Sequence, residues 1–140
     1  MNKEKRQQVR DLIAEHGPDH FYMDNWVRRN HSDNPALEED GKVAICGTAM
    51  CIAGWAMYAE DEGELIGRFY RSSNGDEEAE GVDPQTEAMR ILDMTYGESW
   101  SLFFRTYWPA KYKEMAEFEG ALKYLDDLIS GACVLEVPSA

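Results

Sequence analysis

The sequence predicts a mainly α, compact single-domain fold (residues 1–140) built around a buried central helix at about residues 48–59, with at most a minor strand pair. Three observations lead there. From Ala49 to Ala59 no side chain is charged, in a chain where 29% of residues are. A helix that is apolar on every side has no face for water and belongs in the interior. Between residues 111 and 130, Met115, Phe118, Ala121, Leu122, Leu125, Leu128 and Ile129 recur at helical spacing, while Lys111, Lys113, Glu117, Lys123, Asp126 and Asp127 lie elsewhere. Finally, 140 residues with 44% hydrophobic content suffice for one packed core. A domain of this size buries roughly two-thirds of its unfolded surface without help from a disulfide or a metal.

In chain order, residues 3–16 read as a first helix with a narrow apolar stripe of Val9, Leu12 and Ile13, stopped by Gly17-Pro18. Its basic first turn opposes the helix dipole and predicts fraying. Phe21, Tyr22, Met23 and Trp26 form an irregular or extended stretch docked by its aromatics. Residues 30–41 are a polar loop rich in turn formers. Val43, Ala44 and Ile45 lead into the central helix, with Gly47 for the turn and Thr48 as N-cap. Ala49, Ala53, Gly54 and Ala56 let neighbours approach its backbone, and Cys51, Trp55 and Tyr58 make a bulkier stripe. Its apolar stretch spans roughly 16 Å, about half a bilayer core, so it does not cross a membrane. Residues 60–63 make a turn, 64–70 fit a short helix or a strand alike, and 72–78 form an exposed loop. Asp83-Pro84 starts a helix whose Ala88, Ile91 and Leu92 face inward, and Gly97 marks its stop. Residues 99–105 bring Trp100, Leu102, Phe103 and Phe104 before Trp108-Pro109 breaks the run. Gly131 ends the last helix, and residues 133–135 pack back or pair as an edge strand.

Charge is the strongest deviation, 27 acidic against 14 basic residues and a net charge of −13. A nucleic-acid backbone would be repelled, so no direct nucleic-acid binding is expected. Between residues 60 and 87 stand ten acids (Glu60, Asp61, Glu62, Glu64, Asp76, Glu77, Glu78, Glu80, Asp83 and Glu87) against Arg68 and Arg71. The first ten residues run the other way, with Lys3, Lys5, Arg6 and Arg10 against Glu4. Clustered carboxylates either only solvate a surface or steer the protein toward a basic partner. The N-terminal residues lack the apolar run of a signal peptide, and the cysteines number three (Cys46, Cys51, Cys133), so a cytoplasmic setting with reduced thiols is expected.

Two cysteines and three histidines invite a metal site from Cys46, Cys51 and His20, with His16 and His31 nearby in sequence. Their Cys-x4-Cys and His-x3-His spacings differ from the shorter cysteine knuckles usual for structural zinc. The opposing reading makes both cysteines small buried hydrophobes beneath Trp55. A nucleophilic Cys51 would gain from the helix N-terminus, but it lies in an apolar segment and no histidine has an identifiable partner. The Gly-x-Ser-x-Gly, Walker, His-Glu-x-x-His and Gly-x-Gly-x-x-Gly patterns are all missing. No catalytic residue and no cofactor is therefore expected.

The run Cys46-Gly47-Thr48-x-x-Cys51-Ile52-Ala53-Gly54 is preceded by Phe21-x-Met23-x-x-Trp26 and followed by Ala88/Ile91/Leu92, Leu102-Phe103 and Trp108-Pro109. Together these motifs, over about residues 20–110, resemble a family of small uncharacterised proteins of bacteriophages and some bacteria. The resemblance implies a phage or prophage setting and a shared core, and no activity. The leading expectation is a non-enzymatic accessory protein that binds and modulates a bacterial host or defence protein with a basic surface. Its contact would be a DNA-mimic-like acidic surface of Glu60, Asp61, Glu62, Asp76, Glu77, Glu78 and Glu80. The alternative is a metal- or thiol-dependent enzyme using Cys46 and Cys51. A third reading is self-association through partly exposed Trp100, Phe103, Phe104 and Trp108.

Overall fold

A computed structural model describes residues 3–17, 20–23, 28–29, 48–61, 63–73 and 83–135. Among them the chain is mainly α-helical, as the composition of its segments predicts. Helix α1 (Lys3–His16) turns Val9 and Ile13 inward and ends where Gly17, at φ 78°, returns its N–H to Ile13 O. Arg6 is also buried there. Its Nη1 donates to Leu128 O, and burial pulls its pKa below the ordinary value against the pull of Glu98.

The central helix begins later than its sequence suggests. Helix α2 (Ile52–Asp61) starts at Ile52, because the residues before it are engaged elsewhere. Strand β1 (Arg28–Arg29) pairs antiparallel with β2 (Thr48–Ala49), so Thr48 is not the N-cap. Met50 N–H donates to His20 O and Met50 O accepts from Tyr22 N–H, holding Phe21 beside it. Backbone groups already bonded across a ladder cannot also open a helical turn. The helix also runs on through Glu60 and Asp61, where a turn was expected, and Gly63 at φ 102° follows it. Burial is as predicted: Ile52, Ala53, Gly54, Trp55, Ala56, Met57 and Ala59 are all inside, and α2 packs against α1.

Residues 64–70 fall in helix α3 (Glu64–Ser73), which resolves the ambiguity of their pattern; Asp61 accepts from Leu65 N–H at its start. Helix α4 (Pro84–Leu92) opens as predicted, with Asp83 accepting from Thr86 N–H and Pro84 at the first helical position. It stops at Asp93 (φ 52°), not at Gly97. Asp93 N–H bonds Arg90 O and Met94 N–H bonds Met89 O, the two bonds of a Schellman ending. Gly97 lies inside helix α5 (Tyr96–Phe103), which a Thr95–Glu98 capping box begins.

The single long helix expected over residues 111–130 is two. After a 3-10 turn (Arg105–Tyr107) come helix α6 (Ala110–Lys113) and helix α7 (Glu117–Ser130), which Gly131 at φ 85° ends. Arg105 Nη2 accounts for the break, since it donates to Lys113 O (3.3 Å) and Met115 O (3.0 Å), carbonyls that a continuous helix would have bonded itself. Asp127, placed on the polar face by the pattern, is buried, because α6 folds back and brings Tyr112 Oη to 2.6 Å from its carboxylate. The tail packs back rather than pairing as a strand: Cys133 N–H donates to Asp127 O, and Cys133 and Leu135 rest on the core.

One hydrophobic cluster unites these pieces. Val9 and Ile13 of α1, Met50, the α2 residues, Leu65 and Ile66 of α3, Ile91 and Leu92 of α4, Leu102 and Phe103 of α5, and Tyr124, Leu125 and Leu128 of α7 all belong to it. Polar staples fix the layers: Gln8 Nε2 donates to Ala59 O, Arg10 Nε meets Asp126 at 2.8 Å, and Met23 N–H meets Glu117 Oε1.

Candidate functional site

Cys51 occupies the position just before the first residue of α2, and the local geometry gives its sulfur a structural task. Trp55 N–H bonds Cys51 O at 2.9 Å, the first bond of the helix, and Sγ accepts from Gly54 N–H at 3.4 Å. The thiol thus stands where a serine hydroxyl would cap. The side chain is 1% exposed. Burial pushes its pKa up to about 12, with the Gly54 N–H pulling the other way and losing. A helix N-terminus lowers a thiol pKa when water and cations help, but here desolvation wins. A thiolate nucleophile at Cys51 is therefore opposed by its surroundings.

His16 and His20 both contact Trp55, in the first turn of the same helix. His16 stacks on Trp55 (centroids 5.1 Å apart, planes 10° apart) and meets His20 edge-on at 6.1 Å. His20 contributes its carbonyl, which accepts from Trp55 Nε1–H at 3.0 Å. Cys46 and His31 lie outside the described residues. Among the described residues no three His, Cys, Asp or Glu side chains gather as metal ligands.

Of the proposed acidic surface, Glu60 and Asp61 are described and exposed, while Glu62, Asp76, Glu77, Glu78 and Glu80 lie outside the described residues. Asp61 caps α3. Glu60 joins Glu87 around one cation: Arg90 lies 3.6 Å from Glu60 and 3.1 Å from Glu87. Asp83 precedes Glu87 by one helical turn on α4 and is exposed. Where α2 meets α4, an acidic face is thus assembled from two segments far apart in sequence, with Arg90 offsetting part of it.

A second surface is aromatic. Tyr96, Trp100 and Phe104 recur every fourth residue, and Tyr107 follows one turn later. Trp100 stacks on Phe104 (4.6 Å, 25°) and meets Tyr96 (5.9 Å) and Tyr107 (5.8 Å) edge-on. Tyr96 is 60% exposed and Tyr107 46%, with Trp100 and Phe104 half-buried between them. The self-association reading named two of these residues and erred on two others. Phe103 (1%) and Trp108 (4%) are buried, Trp108 donating its indole N–H to Leu102 O. The four-residue spacing of Tyr96 and Trp100 puts them on one helix face, but Phe103, seven residues after Tyr96 and three after Trp100, shares that face by the same rule, so the pattern did not mark it as the buried one.

These features define a mainly α protein with an acidic face and an exposed aromatic ridge, and no helix among the described residues is long and apolar enough to cross a membrane. Compared with protein-family models, curated proteins and solved structures, the chain matches none.

Proposed function

We propose that this protein is a small, acidic, non-enzymatic accessory protein that docks on a basic surface of a bacterial host or defence protein and modulates it in the cytoplasm. The supporting observation is the acidic face at the α2–α4 junction, where Glu60 and Glu87 outnumber the one arginine between them and Asp83 stands a turn away. The same stretch of sequence, residues 60–87, carries ten acids against two bases. Converging carboxylates raise the rate of encounter with a cationic partner and can occupy a groove shaped for phosphates. The phage or prophage setting is supported by the likeness carried on Cys46 to Gly54. Against the enzyme alternative stands the buried, cap-forming thiol of Cys51.

Affinity capture from bacterial lysate at low and high salt tests the reading. A specific complex with a basic protein should form at low salt, weaken as salt rises, and weaken again when Glu60 and Glu87, or Glu77, Glu78 and Glu80, are reversed to Lys. Binding indifferent to those reversals would rule out the acidic-surface mechanism.

A further inference from the structure

The aromatic ridge on α5 and the 3-10 turn has a charge environment unlike the rest of the chain. From Tyr96 to Lys113 the only acid is Glu98, whose carboxylate turns back to accept from Thr95 N–H, and the stretch carries Arg105, Lys111 and Lys113, within a protein of net charge −13. Two of these cations border the ridge directly. Lys113 Nζ donates to Thr106 O at 3.2 Å, and Arg105 Nη2 reaches back to Lys113 O, so both flank the turn that presents Tyr107. Exposed aromatics beside arginine, with charge confined to the margin, are the composition of an interface centre and its rim.

We propose that this ridge is a self-association surface that packs against the acidic α2–α4 face of a second copy of the same chain. Charge complementarity selects that occupant. Copies of so acidic a protein repel one another over most of their surface. The ridge, basic at its Tyr107 end and apolar at its centre, can receive the partner's Glu60, Asp83 and Glu87 beside Arg105 and Lys113 while Tyr96, Trp100 and Tyr107 exclude water. In a two-fold arrangement each ridge meets the other copy's acidic face, so one pair of patches is used twice. This inference does not depend on the host-binding reading, although the two contacts would compete for Glu60 and Glu87.

Sedimentation velocity over a range of concentrations, at low and high salt, tests it on the full chain. Three double variants are needed, all at exposed or partly exposed side chains: Tyr96→Ser with Tyr107→Ser, Thr106→Glu with Lys113→Glu, and Glu60→Lys with Glu87→Lys. Circular dichroism confirms that each still folds. The wild-type chain should associate reversibly at low salt and dissociate at high salt, and each double variant alone should associate more weakly by about tenfold or more. Mixing Thr106→Glu/Lys113→Glu with Glu60→Lys/Glu87→Lys should restore association stronger than either variant shows alone, because the reversed charges again face opposites. A wild-type chain that stays monomeric at every concentration overturns the proposal and assigns the ridge to some other partner. Association untouched by the ridge substitutions, or a mixture that stays monomeric, overturns it equally.

Discussion

Cys51 shows how one atom's neighbours decide its chemistry. An oxygen in its place would be an ordinary N-cap; the sulfur does the same with a longer, weaker bond to Gly54 N–H. Replacing it by alanine removes the acceptor and opens a small void at the start of α2, and should cost about 1–2 kcal/mol. Cys51→Ser keeps an acceptor in place and should cost less than Cys51→Ala. Urea unfolding of both variants, with unchanged m-values, checks the order. In the native state the Cys51 thiol should resist a small alkylating reagent until the chain opens; rapid native labelling at Cys51 would contradict its burial. The aromatic residues teach the same lesson from the outside, since Trp100 and Trp108 differ in role only because one is half-exposed in a ring cluster and the other finds Leu102 O inside.

At the scale of elements, the boundaries are set by competition for backbone groups. Strand β2 and the His20–Tyr22 segment claim the residues that would have begun α2 early. Arg105 claims the carbonyls that would have joined α6 to α7. The bend between those two helices presses them so closely that a Cβ on Gly120 would lie 2.5 Å from Tyr112 O, a backbone atom with little room to move. Gly120→Ala should therefore destabilise the protein by about 1–3 kcal/mol, although alanine is the better helix former. Thermal and chemical unfolding measure this directly; a neutral or stabilising result would mean that the α6–α7 corner is looser than described. By contrast, the endings at Gly17 and Gly131 and the start at Asp83-Pro84 follow from local turn chemistry and stand where the sequence puts them.

For the molecule as a whole, buried ionisable groups determine the pH range of stability. Burial raises the Cys51 pKa from an ordinary 9.0 to about 12. Burial first, and the Asp127 hydrogen bond second, raise Tyr112 above its ordinary 10.0. In both cases the native state holds its proton more tightly than the unfolded chain, so this stability is complete below about pH 9 and drains away as pH rises beyond it. Asp127 has the opposite sign. The Tyr112 hydroxyl, followed by Lys123 at 3.1 Å, lowers its pKa from the ordinary 3.8, so its contribution is present above that value and is lost as pH falls below it. Urea midpoints measured across pH should show both limbs, with Tyr112→Phe flattening the alkaline one and Asp127→Asn the acid one. An alkaline limb unchanged in Tyr112→Phe would show that this pair does not govern it.

The sequence alone determined the helical class, the interior position of residues 52–59, and the caps at Gly17, Asp83 and Gly131, because these depend on side-chain pattern and on hydrogen bonds made within a few residues. It also disclosed the acidic excess of residues 60–87, though not that Glu60 and Glu87 share Arg90. Tertiary structure alone decided that α2 begins at Ile52, that the last helix breaks after Lys113, that Asp127 turns inward to Tyr112, and that Tyr96 and Tyr107 rather than Phe103 and Trp108 face water. The physical reason is common to all four. A backbone carbonyl, a carboxylate or an aromatic ring can be satisfied by a neighbour in sequence or by a group far along the chain, and periodicity registers only the neighbour.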